Sequence, residues 1–112
     1  MNNIEMNKTI FTYDDVDPIA TKVIIPDYIE TIQSNAFRDC TELESVEIPD
    51  TVTDIGSQAF FNCISLTSVN IPPNLTGMEW GMFWNCELLS NVTIPNDVTY
   101  IGTDTFRNCY SL

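Results

Sequence analysis

The chain of 112 residues contains no histidine, and only four lysines and arginines stand against sixteen acidic residues, for a net charge of −12. Without histidine, the usual general base and the commonest metal ligand at neutral pH are missing. No G-x-S-x-G, no H-E-x-x-H and no glycine-rich phosphate loop occurs, so none of the common nucleophile, zinc or phosphate sites is spelled out. Glu44 and Glu47 fall in one strand segment and are expected to be solvated, which gives neither a reason for a shifted pKa. We therefore expect no catalytic residue, no cofactor and no metal site. The shortage of cations argues against nucleic acid or an anionic membrane surface as a partner, since both are held by clustered Lys and Arg. No run approaches the ~20 apolar residues of a membrane-spanning helix, so no membrane insertion is expected. The opening MNNIEMNKTIFTY lacks the basic start and apolar stretch of a secretion signal, and as written the chain is expected to be cytoplasmic.

What is present is a repeat. Ile25-Pro26, Ile48-Pro49, Ile71-Pro72 and Ile94-Pro95 are 23 residues apart, and the same step separates Phe37, Phe60, Phe83 and Phe106. Cys40, Cys63, Cys86 and Cys109 keep it too, as do Leu43, Leu66, Leu89 and Leu112. A short fixed period with apolar residues in constant phase is the mark of a solenoid, in which each coil buries its apolar side against its neighbours. Such a chain stacks and binds rather than catalyses.

One coil serves for all. Val46 and Ile48 share one face of an extended segment, with Ser45 and Glu47 on the other. Pro49 ends the strand because it has no N–H for a ladder, and Asp50-Thr51 turns the chain. Val52 and Ile55 point inward, and Gly56 is expected to relax the backbone at the corner. Ser57 to Asn62 is expected to form a short helical turn with Ser57 as its N-cap. Stacking then lines up Val23, Val46, Val69 and Val92 in one ladder, and Phe37, Phe60, Phe83 and Phe106 in another on the convex side. Residues 25–112 thus make four repeats, the last incomplete, and the open end near Leu112 offers a route to a homodimer.

Residues 1–24 fall outside the period and are expected to form an N-terminal cap. Met1–Lys8 is polar and expected to be loosely ordered. Thr9–Tyr13 and Ile19–Ile25 read as strands, joined by the turn signal Asp14-Asp15-Val16-Asp17-Pro18, which gives a β-hairpin over the first coil. Three aspartates without glycine fall short of a calcium loop.

The pattern I-P-x-x-V-x-x-I-G-x-x-A-F-x-N-C-x-x-L-x-x-V is carried by Ile48-Pro49, Val52, Ile55-Gly56, Ala59-Phe60, Asn62-Cys63, Leu66 and Val69, and again from Ile71 and Ile94. It resembles the BspA-like leucine-rich repeats, over roughly Val23 to Leu112. The resemblance implies an α/β repeat solenoid, a right-handed leucine-rich-repeat coil with one short parallel strand and one short helical turn per repeat. It also implies a binding surface for other macromolecules, sometimes as an adhesin at the cell surface. The expected partner is a protein, extracellular-matrix or carbohydrate-bearing ones included.

Four cysteines 23 apart are not a zinc set, which needs ligands two to four residues apart. Stacked neighbours at ~4.8 Å satisfy the Cα distance of a disulfide, but side chains in one phase point the same way. The cysteines read as small buried hydrophobes. The neighbouring column of Asp39, Asn62, Asn85 and Asn108 is expected to bond loop backbone between coils.

Two surfaces are candidates for binding. The strand face displays Glu44, Glu47, Thr67, Asn70, Ser90 and Thr93, beside Lys22, Ile24, Ser45, Ser68 and Asn91, as a flat polar array. Coil three supplies the other. There Gly56 is replaced by Glu79, Ser57 by Trp80, Ala59 by Met82 and Phe61 by Trp84. Phe61, Trp80 and Trp84 then gather on the convex side. Either they form an exposed interaction patch, or the tryptophans fold down over the corner Thr76-Gly77-Met78. Three N-x-T sequons stand at Asn7, Asn74 and Asn91, and modification of Asn91 would obstruct the strand face.

Overall fold

A computed structural model describes residues 8–112, so the expectation for the polar start lies, up to Asn7, outside the described residues. The leading segment and the first two coils carry two short strand segments each, the last two coils carry one each, and all strand pairs are parallel. In chain order the strands are β1 (Ile10–Phe11), β2 (Lys22–Ile24), β3 (Thr31–Ile32), β4 (Ser45–Glu47), β5 (Asp54–Ile55), β6 (Ser68–Val69), β7 (Gly77–Met78) and β8 (Tyr100–Ile101). β2, β4 and β6 form the strand face expected from the sequence, with Val23 paired to Val46 and Val46 to Val69. A single bridge from Ser68 to Asn91 carries this sheet into the next coil. A second side of the coil holds β1-β3-β5 and, separately, β7-β8.

The third side is not helical. Among the described residues the one helical element is a 3-10 turn at Tyr13–Asp15, ahead of the first repeat. Where the sequence suggested Ser57 capping a helical turn, the chain runs through overlapping reverse turns, with N–H bonds from Ala59 to Gly56, Phe61 to Gln58 and Cys63 to Phe60. The cause is a pair of left-handed residues in every coil. Asn35, Gln58, Gly81 and Asp104 form one column at φ 56–64°, and Asp39, Asn62, Asn85 and Asn108 form a second at 60–65°. A left-handed residue stops a right-handed helix, and Asn and Asp enter that region at least cost after glycine. Alternate N–H groups are thereby turned outward to the next coil. Asn35, Phe37 and Asp39 donate to the carbonyls of Ser57, Ala59 and Phe61, and the same triplet recurs at each later junction.

The N-terminal hairpin is also corrected. β1 and β2 do not pair with each other. β1 joins β3 on the second side and β2 joins β4 on the strand face, so this segment is itself a coil of the solenoid. The turn between them is where the aspartates and proline placed it. It was illegible as a repeat because Ile10 pairs with Thr31, an offset of 21 residues, where Lys22 pairs with Ser45 at 23.

The core is a set of columns. Phe11, Phe37, Phe60, Phe83 and Phe106 stack in nearly parallel planes, 5–17° apart, with centroids 4.9–5.8 Å from one to the next. Phe37, Phe60 and Phe83 are fully buried, as are Leu43, Leu66 and Leu89. In the last coil Val98, Phe106 and Cys109 are only partly buried. The two corner glycines work through space rather than torsion, since neither Gly56 nor Gly102 has positive φ. A Cβ at Gly56 would lie 2.4 Å from the Ser34 nitrogen, and one at Gly102 would lie 2.7 Å from the Trp80 nitrogen.

Candidate functional site

On the strand face, Lys22, Ser45, Glu47, Ser68, Asn70, Asn91 and Thr93 line a groove of about 580 Å³, with Ile71, Pro73 and Pro95 along one side. The parallel register fixes their spacing, because Lys22, Ser45, Ser68 and Asn91 follow one another across the sheet. Glu47, Asn70 and Thr93, expected from the sequence, lie in this groove. Glu44, Thr67 and Ser90 are exposed but outside it.

Several of these polar groups are already engaged. The Asn70 amide accepts from the Ile48 N–H at 3.0 Å and donates to the Ile48 carbonyl at 2.7 Å. It replaces the bond made one coil earlier, where the Ile25 N–H reaches the Glu47 carbonyl. The Thr67 hydroxyl donates to the Glu44 carbonyl and the Ser90 hydroxyl to the Thr67 carbonyl. Lys22 pairs with Glu47 at 3.5 Å, both well exposed, an arrangement worth little in water. Among the described residues, Glu44, Ser68, Asn91 and Thr93 make no side-chain hydrogen bond within the chain. Nothing in a strict repeat distinguishes an amide that staples its own sheet from one that faces solvent.

The turn side brings together all three aromatics singled out by sequence. Phe61 and Trp84 meet edge to face with centroids 5.4 Å apart, and Trp84 and Trp80 do the same at 6.0 Å. Trp80 is 43% exposed, and Phe61 and Trp84 are half-buried. Two arginines that hold the same phase in the other coils complete the row. Arg38 lies 4.8 Å over the Phe61 ring and Arg107 lies 5.1 Å over Trp84. The signal was available, since 38, 61, 84 and 107 occupy one phase of the repeat. This line of Arg, Phe, Trp and Arg places half of the chain's cations on one stripe.

The corner Thr76-Gly77-Met78 is covered by Tyr100, not by a tryptophan. A Cβ at Gly77 would lie 2.1 Å from the Tyr100 ring, and the Tyr100 hydroxyl donates to the Glu79 carboxylate. That bond, first, and the negative charges of Glu79 and Asp54 push the Tyr100 hydroxyl above its ordinary pKa.

All four cysteines are free thiols. The Sγ of Cys63, Cys86 and Cys109 donates to the carbonyl of Phe37, Phe60 and Phe83 respectively, at 3.0–3.1 Å. Each thiol thus ties its coil to the preceding one, which explains why the position takes cysteine rather than alanine. Burial pushes Cys40 and Cys109 up to about 11, helped at Cys40 by the charge of Asp39. Such thiols are poor nucleophiles at neutral pH. The Asp39–Asn108 column bonds side chain to side chain rather than to loop backbone, Asn62 to Asp39 at 3.0 Å and Asn108 to Asn85 at 2.8 Å. Its composition answers to the left-handed backbone. No group of three His, Cys, Asp or Glu is placed to hold a metal ion among the described residues.

Comparison with known proteins agrees with this architecture. A leucine-rich repeat protein from Bacteroides ovatus superposes with a TM-score of 0.77 at 29% identity, over 78% of this chain and 25% of its own. A leucine rich cell surface protein from Faecalibacterium prausnitzii gives 0.68 at 28%, over 83% and 31%. The leucine-rich repeat protein of T. pallidum gives 0.65 at 27%, over 79% and 52%. The chain therefore spans between a quarter and about half of these proteins' lengths. No curated protein matches it. Residues 4–112 match the BspA type leucine-rich repeat region in six copies. The chain belongs to the BspA-type leucine-rich repeat family.

Proposed function

We propose that the chain is a non-catalytic protein-binding module that takes its partner on the strand face. The observation that carries this reading is the groove of about 580 Å³ across the strand face. It is roomy, open along its length and lined by amides, hydroxyls, a lysine and a glutamate on a rigid parallel sheet. Exposed hydrogen-bonding groups at fixed spacing suit an extended protein segment, with the apolar wall at Ile71, Pro73 and Pro95 as its dry side. The cell-surface description of the F. prausnitzii relative supports an adhesin-like setting. The test is binding of the 112-residue chain to an array of extended peptides and matrix proteins, repeated with Ser68→Arg and Asn91→Arg. These exposed substitutions fill the groove without touching the core. Retained binding in both variants would reject the strand face as the site.

A second reading, self-association through the last coil, is favoured by one observation. Ile94, Tyr100, Ile101, Tyr110 and Leu112 are 39–71% exposed on that coil. Sedimentation of the 112-residue chain tests it, since a monomer at high concentration would count against pairing there.

A further inference from the structure

Coils one and two are joined on three sides, and coils two and three on only two. Between coils one and two, and between three and four, the second side is closed by β3–β5 and β7–β8. Flanking bonds complete each closure. The Thr53 N–H donates to Glu30 and the Gly56 N–H to Ile32, and in the later pair Thr99 donates to Thr76 and Gly102 to Met78. Between coils two and three neither the strand pairing nor the flanking bonds exist, and the sheet is divided between β5 and β7. The other two sides hold. On the strand face Ser68 bridges to Asn91 and the Ser90 N–H donates to the Thr67 carbonyl. On the turn side Gln58, Phe60 and Asn62 donate to Trp80, Met82 and Trp84, and Phe60 stacks on Phe83 at 5.3 Å.

The sequence supplies the cause. The corner position is Gly56 in coil two and Gly102 in coil four, and in both the α-carbon lies so close to the coil before that no Cβ fits. Coil one carries Gln33 there and its N–H still reaches the Phe11 carbonyl, but against a leading segment stacked at an offset of 21 residues rather than 23. Coil three has Glu79 there. By the repeat's phase its Cβ falls opposite Ser57, and among the described residues no backbone hydrogen bond joins the two coils on this side. A hollow of about 390 Å³ lies over the paired segments 31–34 and 54–57, and Glu79 closes its edge toward coil three. Tyr100 reaches across Gly77 to hold the Glu79 carboxylate from the other side.

We propose that this seam is a hinge built into the solenoid by the Cβ of Glu79. Two sides of the junction act as the axis, and the third opens and closes. The strand-face groove takes residues from both halves, Ser45 and Glu47 before the seam and Asn91 and Thr93 after it, so the hinge sets the groove's width whatever the groove binds.

Hydrogen exchange on the 112-residue chain tests this at single amides. The expected result is fast exchange at Thr76 and Glu79, with slow exchange at Thr53, Gly56, Thr99 and Gly102. Ser90 on the strand face and Phe60 and Asn62 on the turn side stay protected. Glu79→Gly allows the ladder to close, and exchange at residues 76 and 79 slows about fivefold for each bond regained. Glu79→Ala removes the carboxylate and its bond to Tyr100 but keeps the Cβ, so exchange there remains fast. Slow exchange at Thr76 and Glu79 in the unaltered chain would overturn the proposal. So would an unchanged rate in Glu79→Gly, or closure in Glu79→Ala. Simultaneous loss of protection on all three sides would also overturn it, because the coils would then separate as blocks.

Discussion

The junction between coils one and two and the junction between coils two and three are built from the same residue pattern, yet one is closed on every side and the other is open on one. Their apolar columns are alike, with phenylalanine centroids 4.9 and 5.3 Å apart. Their thiol bonds are alike too, Cys63 to Phe37 and Cys86 to Phe60, both at 3.1 Å. Coil three differs from coil two at several positions, and the one that bears on the backbone approach is the corner, Gly56 against Glu79. In a solenoid the backbone of one coil is the packing partner of the next, so a residue's freedom is set by the neighbour 23 positions away. Side-chain columns hold the coils at a distance, and the missing Cβ lets the backbones finish the approach.

The largest effect tests whether the columns carry the stability that both junctions share. Phe60→Ala empties a fully buried site between two stacked rings and is expected to cost about 3–5 kcal/mol. Phe106, partly exposed and stacked on one side only, is expected to cost clearly less. Denaturant unfolding of the two variants decides it. Equal losses would mean that the stack is not the common support.

The next effect converts the closed junction into the open one. Gly56→Ala places a Cβ 2.4 Å from the Ser34 nitrogen, a backbone clash that no rotamer relieves. A loss of about 1–3 kcal/mol is expected, with exchange accelerated at Thr53 and residue 56 and unaltered on the other two sides. A variant as stable as the parent would show that the corner has room, and would remove the reason for the difference between the junctions.

The thiol column crosses both junctions and predicts the pH response. Cys40 and Cys109 move from 9.0 to about 11 on folding, burial being the main cause, and Cys63 also rises. A raised thiol pKa means that the folded chain keeps protons which the unfolded chain releases. Stability is therefore full below pH 9 and falls as pH rises from about 9 toward 11. Unfolding midpoints across that window are the measurement. The fall should shrink in Cys40→Ala, whose thiol makes no bond to a preceding coil and whose loss perturbs the stack least.

Much of this was legible in the sequence, and the illegible part has a common origin. The period fixed the coil, the valine and phenylalanine columns, the strand face and the meeting of Phe61, Trp80 and Trp84. Each follows from phase alone. The turn side was misread as helical because Ala59, Phe60 and Phe61 suit a helix locally, while the signal against it lay in the columns Asn35–Asp104 and Asp39–Asn108, residues that tolerate left-handed backbone. The segment ahead of coil one was misread as a hairpin because its second-side offset is two residues short. The internal engagement of Asn70 depends on which backbone bond is vacant one coil away, and no property of Asn70 itself reveals that. Phase tells which residues stack, and the distance between backbones decides how.

The smallest effect concerns the stripe that runs over both junctions on the turn side. Arg38 covers Phe61 across the junction of coils one and two, Phe61 meets Trp84 across the open one, and Arg107 covers Trp84 across the last. An exposed guanidinium over a ring contributes about 0.5–1 kcal/mol. Its exposed ion pairs with Asp39 and Asp104, at 3.7 and 3.8 Å, add little. Arg38→Ala and Arg107→Ala are each expected to lower stability by about that cation–π amount. The double variant is expected to be additive, because the two guanidinium groups contact different rings with the open junction between them. A double-variant loss exceeding the sum would mean that the stripe acts as one unit and clamps the hinge from outside. Strict additivity would leave the two ladders and the phenylalanine stack as the axis.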